Sequence, residues 1–102
     1  MVIYNVTVSI DNEVANDWLS WMKEVHIPEV LATGLFVDYK FLKLLEDKEV
    51  DDGSTTYAVQ YMAHGVKEVA DYLENHATTL RAKQNERYEG RLAAFRTVLE
   101  EV

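Results

Sequence analysis

The chain has no cysteine. That excludes disulfides, thiolate metal sites and cysteine nucleophiles, and it fits a reducing compartment, so a cytoplasmic location is expected. There is one proline, Pro28, and there are four glycines, so the chain is punctuated at few places and each is informative. Positive charge is scarce: 10 bases against 18 acids give a net charge of −8. So acidic a chain is a poor ligand for phosphate backbones unless it has a local basic face, and no nucleic-acid partner is expected. The candidate face, Lys83, Arg87 and Arg91 at helical spacing, is interleaved with Glu86 and Glu89 and reads as a solvated helix. No apolar run approaches about 18 residues, so no membrane span is expected. The opening MVIYNVTVSI alternates like a strand and does not read as a secretory leader.

What is present is a single domain's worth of sequence. Hydrophobic residues make up 48% of 102 positions, enough for one core, though a chain this small gains from burying surface against a second subunit. Residues 2–10 alternate as a half-buried strand, with Val2, Tyr4, Val6, Val8 and Ile10 on one face and Ile3, Asn5, Thr7 and Ser9 on the other. Asp11 or Asn12 can cap a following helix. That helix carries Val14, Trp18, Trp21 and Val25 along one stripe, flanked by Ala15, Leu19 and Met22. Pro28 is expected to break it, pushing Ile27 out of the helical region. A short second helical segment then runs to Thr33, with Gly34 as its left-handed stop.

Residues 35–46 read as a second strand, DKEVDDGS (47–54) as an acidic turn, and residues 55–63 as a third strand. The acids from Glu46 to Asp52 read as a solvated hairpin tip. A second helical region opens at Gly65, with Val66, Val69, Leu73, Ala77 and Leu80 as its buried stripe. It breaks near His76, continues to about Arg87 and stops at Gly90. Residues 91–101 form a fourth strand.

This order, βαββαβ, specifies an α+β, ferredoxin-like domain over 1–102: a four-stranded antiparallel sheet with both helical regions on one face. The other face is too apolar for water, because strands two and three carry apolar or aromatic residues at both parities. A second copy is the expected cover, making a homodimer.

The stretch WMKEVHIPEVLATGLF (21–36), together with the element order, resembles the dimeric α+β barrel superfamily, which includes antibiotic-biosynthesis-type monooxygenases and EthD-type proteins. MVIYNVTV, TYAVQYMA and FRTVLEEV are similar to one family of short bacterial proteins of unknown function. The resemblance implies a barrel closed by two sheets. It also places His26 near a mouth of that barrel, where the imidazole either bonds the last carbonyls of its helix or borders a ligand cavity. Haem-degrading relatives combine a strand-one Asn, a Trp near the end of strand three and a His on the second helix. Asn5 matches the first and His76 loosely the last, but Tyr61, Met62 and Ala63 stand where the Trp is needed, so no haem is expected.

No G-x-S-x-G, P-loop, G-x-G-x-x-G or H-E-x-x-H occurs, and no catalytic residue is assigned. His26, His64 and His76 are not spaced as a helical metal pair, and the acids of 46–52 do not match a calcium loop, so neither metal nor organic cofactor is expected. The candidates for a ligand cavity are Asn5, Thr7, His26, Tyr39, Gln60 and Arg96. Asn5, Gln60 and Arg96 either satisfy one another across a dimer or converge on a bound molecule, where Arg96 would suit a carboxylate or enolate oxygen. Small-molecule binding is the leading expectation. A cofactor-independent monooxygenase or isomerase is the alternative, with His26 or Tyr39 as base and Asn5 and Arg96 stabilising an anion. A structural or interaction protein with a filled interior is the third.

Overall fold

The computed structural model describes residues 1–45 and 52–102. Its elements are β1 (Val2–Asp11), α1 (Ala15–Trp21), a π-helical turn (Met22–His26), α2 (Ile27–Ala32), β2 (Asp38–Lys43), β3 (Ser54–Ala63), α3 (Val66–Asn75), α4 (Ala77–Arg87) and β4 (Leu92–Glu100). The strands form one sheet in the order β2-β3-β1-β4, with every neighbouring pair antiparallel. This is the ferredoxin-like arrangement expected from the element order. The acidic tip at 46–51 lies outside the described residues.

Alternation along β1 and β3 fixes which face is covered. Val2, Tyr4, Val8 and Ile10 on β1 and Tyr57, Val59, Tyr61 and Ala63 on β3 are all buried. Register pairs them across the two strands. The helices lie on this face: Trp18 of α1 meets Tyr57 with ring centres 5.3 Å apart, and Tyr72 of α3 meets Tyr4 at 5.5 Å. Trp18, fully buried, also donates its indole N–H to Gln84 of α4 at 3.1 Å, which ties the two helical regions together.

Three sequence expectations are corrected here. Pro28 does not break the helix. Ile27 keeps right-handed helical angles, and its N–H reaches back five residues to the Met22 carbonyl. In a regular α-helix the proline ring would collide with the Glu24 carbonyl. A wider π turn just upstream avoids that collision, and Pro28 falls in the first turn of α2, where no N–H is needed. The wider turn also rotates the buried stripe. Trp18, Met22, His26 and Val30 are buried, and Val25 is exposed.

The stripe of the second helical region shifts as well. Val66 and Leu73 are exposed, while Val69, Tyr72, Ala77, Leu80 and Gln84 are buried. Finally, β2 is shorter than expected, because Phe36 leaves the strand path and is buried beside Tyr61 and Tyr72. Gly34 and Gly90 sit at positive φ, as the stops of α2 and α4 require.

Candidate functional site

Strand parity divides the six candidate residues between two faces. Asn5 and Thr7 pair with Gln60 and Ala58, all on the open face. Arg96 pairs with Val6 and therefore points to the helix side, away from Asn5 and Gln60. The expected mutual satisfaction of Asn5, Gln60 and Arg96 is excluded by this one-residue alternation. Asn5 instead donates to Thr7 at 3.1 Å and to Thr97 at 3.2 Å. Tyr39 faces the helix side opposite Tyr61, but it lies on the edge strand and is exposed.

The helix side holds a small cavity of about 20 Å³ lined by Tyr4, Met22, His26, Tyr61, Tyr72, Arg81, Gln84 and Arg96 together with strand valines. That is room for one ordered water or the head of a ligand. Its floor comes from β1, β3 and β4. The π turn supplies His26, α3 supplies Tyr72, and α4 supplies Arg81 and Gln84. His26 is held inside by the stacked indole of Trp21, with ring centres 5.1 Å apart. It does not sit at a helix end bonding final carbonyls, because the helix continues through it.

Polar groups around this cavity are short of partners. His26 Nδ1, the Tyr61 hydroxyl and Arg96 Nε are buried with no hydrogen bond. A buried polar group without a partner costs about 1–3 kcal/mol, so three at one cavity mark a place where something is to be bound. Burial holds the imidazole neutral: its pKa falls to about 4, the pull of Glu29 being outweighed by burial with help from Arg96 and Lys83. Burial also pushes the Tyr61 hydroxyl far above its ordinary value and Tyr72 up to about 12, so both stay protonated donors. Arg81 donates to the Tyr4 hydroxyl at 2.8 Å.

Tyr4, Tyr72, Arg81 and Gln84 were missed by sequence reasoning. Tyr61 was weighed only as an alternative parity. The available signal was the helical spacing Ala77, Leu80, Gln84, Tyr88, which continues the buried stripe through a polar residue.

Among the described residues, no three His, Asp or Glu side chains gather as a metal site. No helix there is long and apolar enough to cross a membrane. The row Lys83, Arg87 and Arg91 is spent on ion pairs with Glu29, Asp17, and Asp11 and Glu13.

The open face is different in character. Asp38 and Lys40, at its edge, are the charged groups among the described strand residues of this face. Leu42, Leu44, Phe95 and Leu99 stand exposed there. Between them lie shallow hollows of about 320 Å³ beside Thr7, Leu42 and Ala58, and about 270 Å³ beside Thr7, Thr56 and Phe95.

Solved structures share this fold at low identity. The chain is similar to HapK from Hahella chejuensis, with 11% identity and a TM-score of 0.68 over 100% of this chain and 93% of that one. It is similar to an ethyl tert-butyl ether d (EthD) family protein from Bacillus halodurans, with 12% identity and a TM-score of 0.66 over the whole of both chains. It is also similar to a dimeric ferredoxin-like protein from an uncultured marine organism, at 10% identity and a TM-score of 0.59 over 100% and 95% of the two chains. These likenesses establish the fold, that of the ferredoxin-like α+β barrel proteins. No curated protein matches the chain. A family model described as "Domain of unknown function (DUF4286)" matches residues 1–102, and the chain belongs to that family.

Proposed function

We propose that the chain is a cytoplasmic homodimer that binds a small molecule between its helices and its sheet, while the open sheet faces of two copies pack together. The observation that carries the ligand reading is the convergence of three buried, unpartnered polar atoms, on His26, Tyr61 and Arg96, at one cavity. The dimer reading rests on a face low in charge within a chain of net charge −8. On that face, exposed Leu42 and Phe95 stand beside hollows able to receive such side chains. A dimeric relative of the same fold supports it. In this reading Asn5, Thr7 and Gln60 belong to the seam between copies, His26 and Arg96 to the pocket, and Tyr39 to neither.

Native mass spectrometry of freshly purified protein tests both parts. A dimer with additional mass supports both. A bare dimer whose three orphan atoms are met by ordered water in a crystal favours a structural protein with a filled interior. A monomer overturns the seam.

A second reading is favoured by the neutral, cavity-facing imidazole. In it His26 is a base that takes a proton from a substrate carbon acid and returns it, an isomerisation without cofactor. α-Proton exchange of pyruvate in D2O is the check. Exchange above the buffer rate that is lost in His26→Gln supports the reading; exchange that is equal in both proteins overturns it.

A further inference from the structure

The four arginines sort into two kinds. Arg87 reaches Asp17 at 3.3 Å, and Arg91 reaches Asp11 at 2.8 Å and Glu13 at 2.9 Å, all on the outside. Arg81 and Arg96 line the helix–sheet cavity, and among the described residues neither has a carboxylate in ion-pair reach. In a chain with 18 acidic residues, unmatched cations at the same cavity are not explained by a shortage of acids. No Asp or Glu lines that cavity.

The remaining groups agree in sign. The Tyr61 hydroxyl can donate, Arg96 Nε can only donate, and Arg81 uses one N–H on the Tyr4 hydroxyl and keeps others. The walls are aromatic: Tyr4 and Tyr61 stand with ring centres 6.3 Å apart, and Tyr72 is 5.5 Å from Tyr4. Flat faces beside a donor-rich, cationic floor select a flat molecule with an acceptor-rich, negatively charged end.

Resting on the pocket reading above, we infer that the ligand is a compact organic monoanion, a carboxylate or enolate no larger than about a single ring. Its charged end sits on Arg96 and Arg81 and its flat body lies against Tyr4, Tyr61 and Tyr72. The cavity admits the head group as it stands. The body enters as Tyr72 and the α3–α4 corner at His76 give way, a place where the helix is already interrupted.

The test compares isosteres on the unaltered protein, so that no variant has to fold. Benzoate, benzamide and benzylamine are titrated separately, with the Arg96 Nε–H and the Val59 and Tyr61 amide signals followed by NMR. Saturable shifts with benzoate that are about tenfold or more stronger than with benzamide, and absent with benzylamine, are expected. Equal response to benzoate and benzamide overturns the anion inference and leaves the pocket standing. No saturable shift at the pocket with any of the three overturns the pocket reading itself. Arg96→Gln should abolish the preference for benzoate and Arg87→Gln should leave it intact; the reverse pattern would also overturn the assignment.

Discussion

The two faces of the sheet treat polar groups in opposite ways. On the open face, Asn5 is bonded to Thr7 and Thr97, and Ser9 to Ser54 at 3.0 Å. Polar side chains there largely serve one another, and what is left unmatched is apolar surface. On the covered face the apolar groups are packed, and what is left unmatched is polar: His26, Tyr61 and Arg96. An unmatched apolar surface calls for a macromolecule with the same need. An unmatched set of donors in a small cavity calls for a small acceptor. One sheet thus presents two kinds of incompleteness, and the side of the sheet on which a residue falls decides which kind it serves.

The contrast can be broken most strongly at the covered face. Trp18→Ala removes a fully buried ring and the partner of Gln84. We expect a loss of about 3–5 kcal/mol in urea unfolding. A loss under about 1 kcal/mol would mean that this side is not a packed core.

The next effect is pH-dependent. His26 has an ordinary pKa of 6.5, as in the unfolded chain, and about 4 when folded. The folded state therefore resists protonation, and the unfolded state binds the extra proton. Stability attached to the neutral ring is complete above pH 6.5 and drains away as pH falls toward 4, by on the order of 3 kcal/mol. Glu29 works against this, and Arg96 and Lys83 with it. Comparing wild type with His26→Gln between pH 7 and pH 4 isolates the contribution; parallel stability profiles would show that the ring is not held neutral.

At the open face, Phe95→Glu places a charge where the seam would close. Its expected effect is a dimer weakened roughly thirtyfold or more, with the secondary structure unchanged. Sedimentation that still shows a tight dimer would move the interface elsewhere.

The smallest effect returns to the cavity. Tyr4→Phe removes the acceptor of the Arg81 bond, for about 0.5–1.5 kcal/mol in unfolding. Preference for benzoate over benzamide should survive, since Arg81 keeps its charge. Loss of that preference would show that Tyr4 itself holds the anion.

The fold was legible in the sequence because it rests on long periodic segments. β1 and β3 alternate cleanly, Gly34 and Gly90 stop their helices, and the interruption at His76 falls where expected. The candidate site was only half legible. His26 and Arg96 were singled out, but Arg96 was assigned to the wrong face because period-two alternation carries no information about which side is covered. The neighbours of Arg96 on β4, Phe95 and Thr97, offer one apolar and one polar residue on the opposite face, so burial preference could not arbitrate. Arg81 and Gln84 were overlooked because polar residues on a helix ordinarily face water.

The π turn has a consequence for how this helix can be altered. It holds one residue more than the path from Trp18 to Val30 needs, so the rod carries a spare position next to its histidine. Deleting Val25, an exposed residue, should let the helix close into uniform winding while α2 keeps its seat against the sheet. The histidine would move up one place, under the strain that Pro28 now imposes on a regular turn. The oddity in the winding is thus a lever of a single residue, separating a helix that merely packs from one that delivers an imidazole to a cavity.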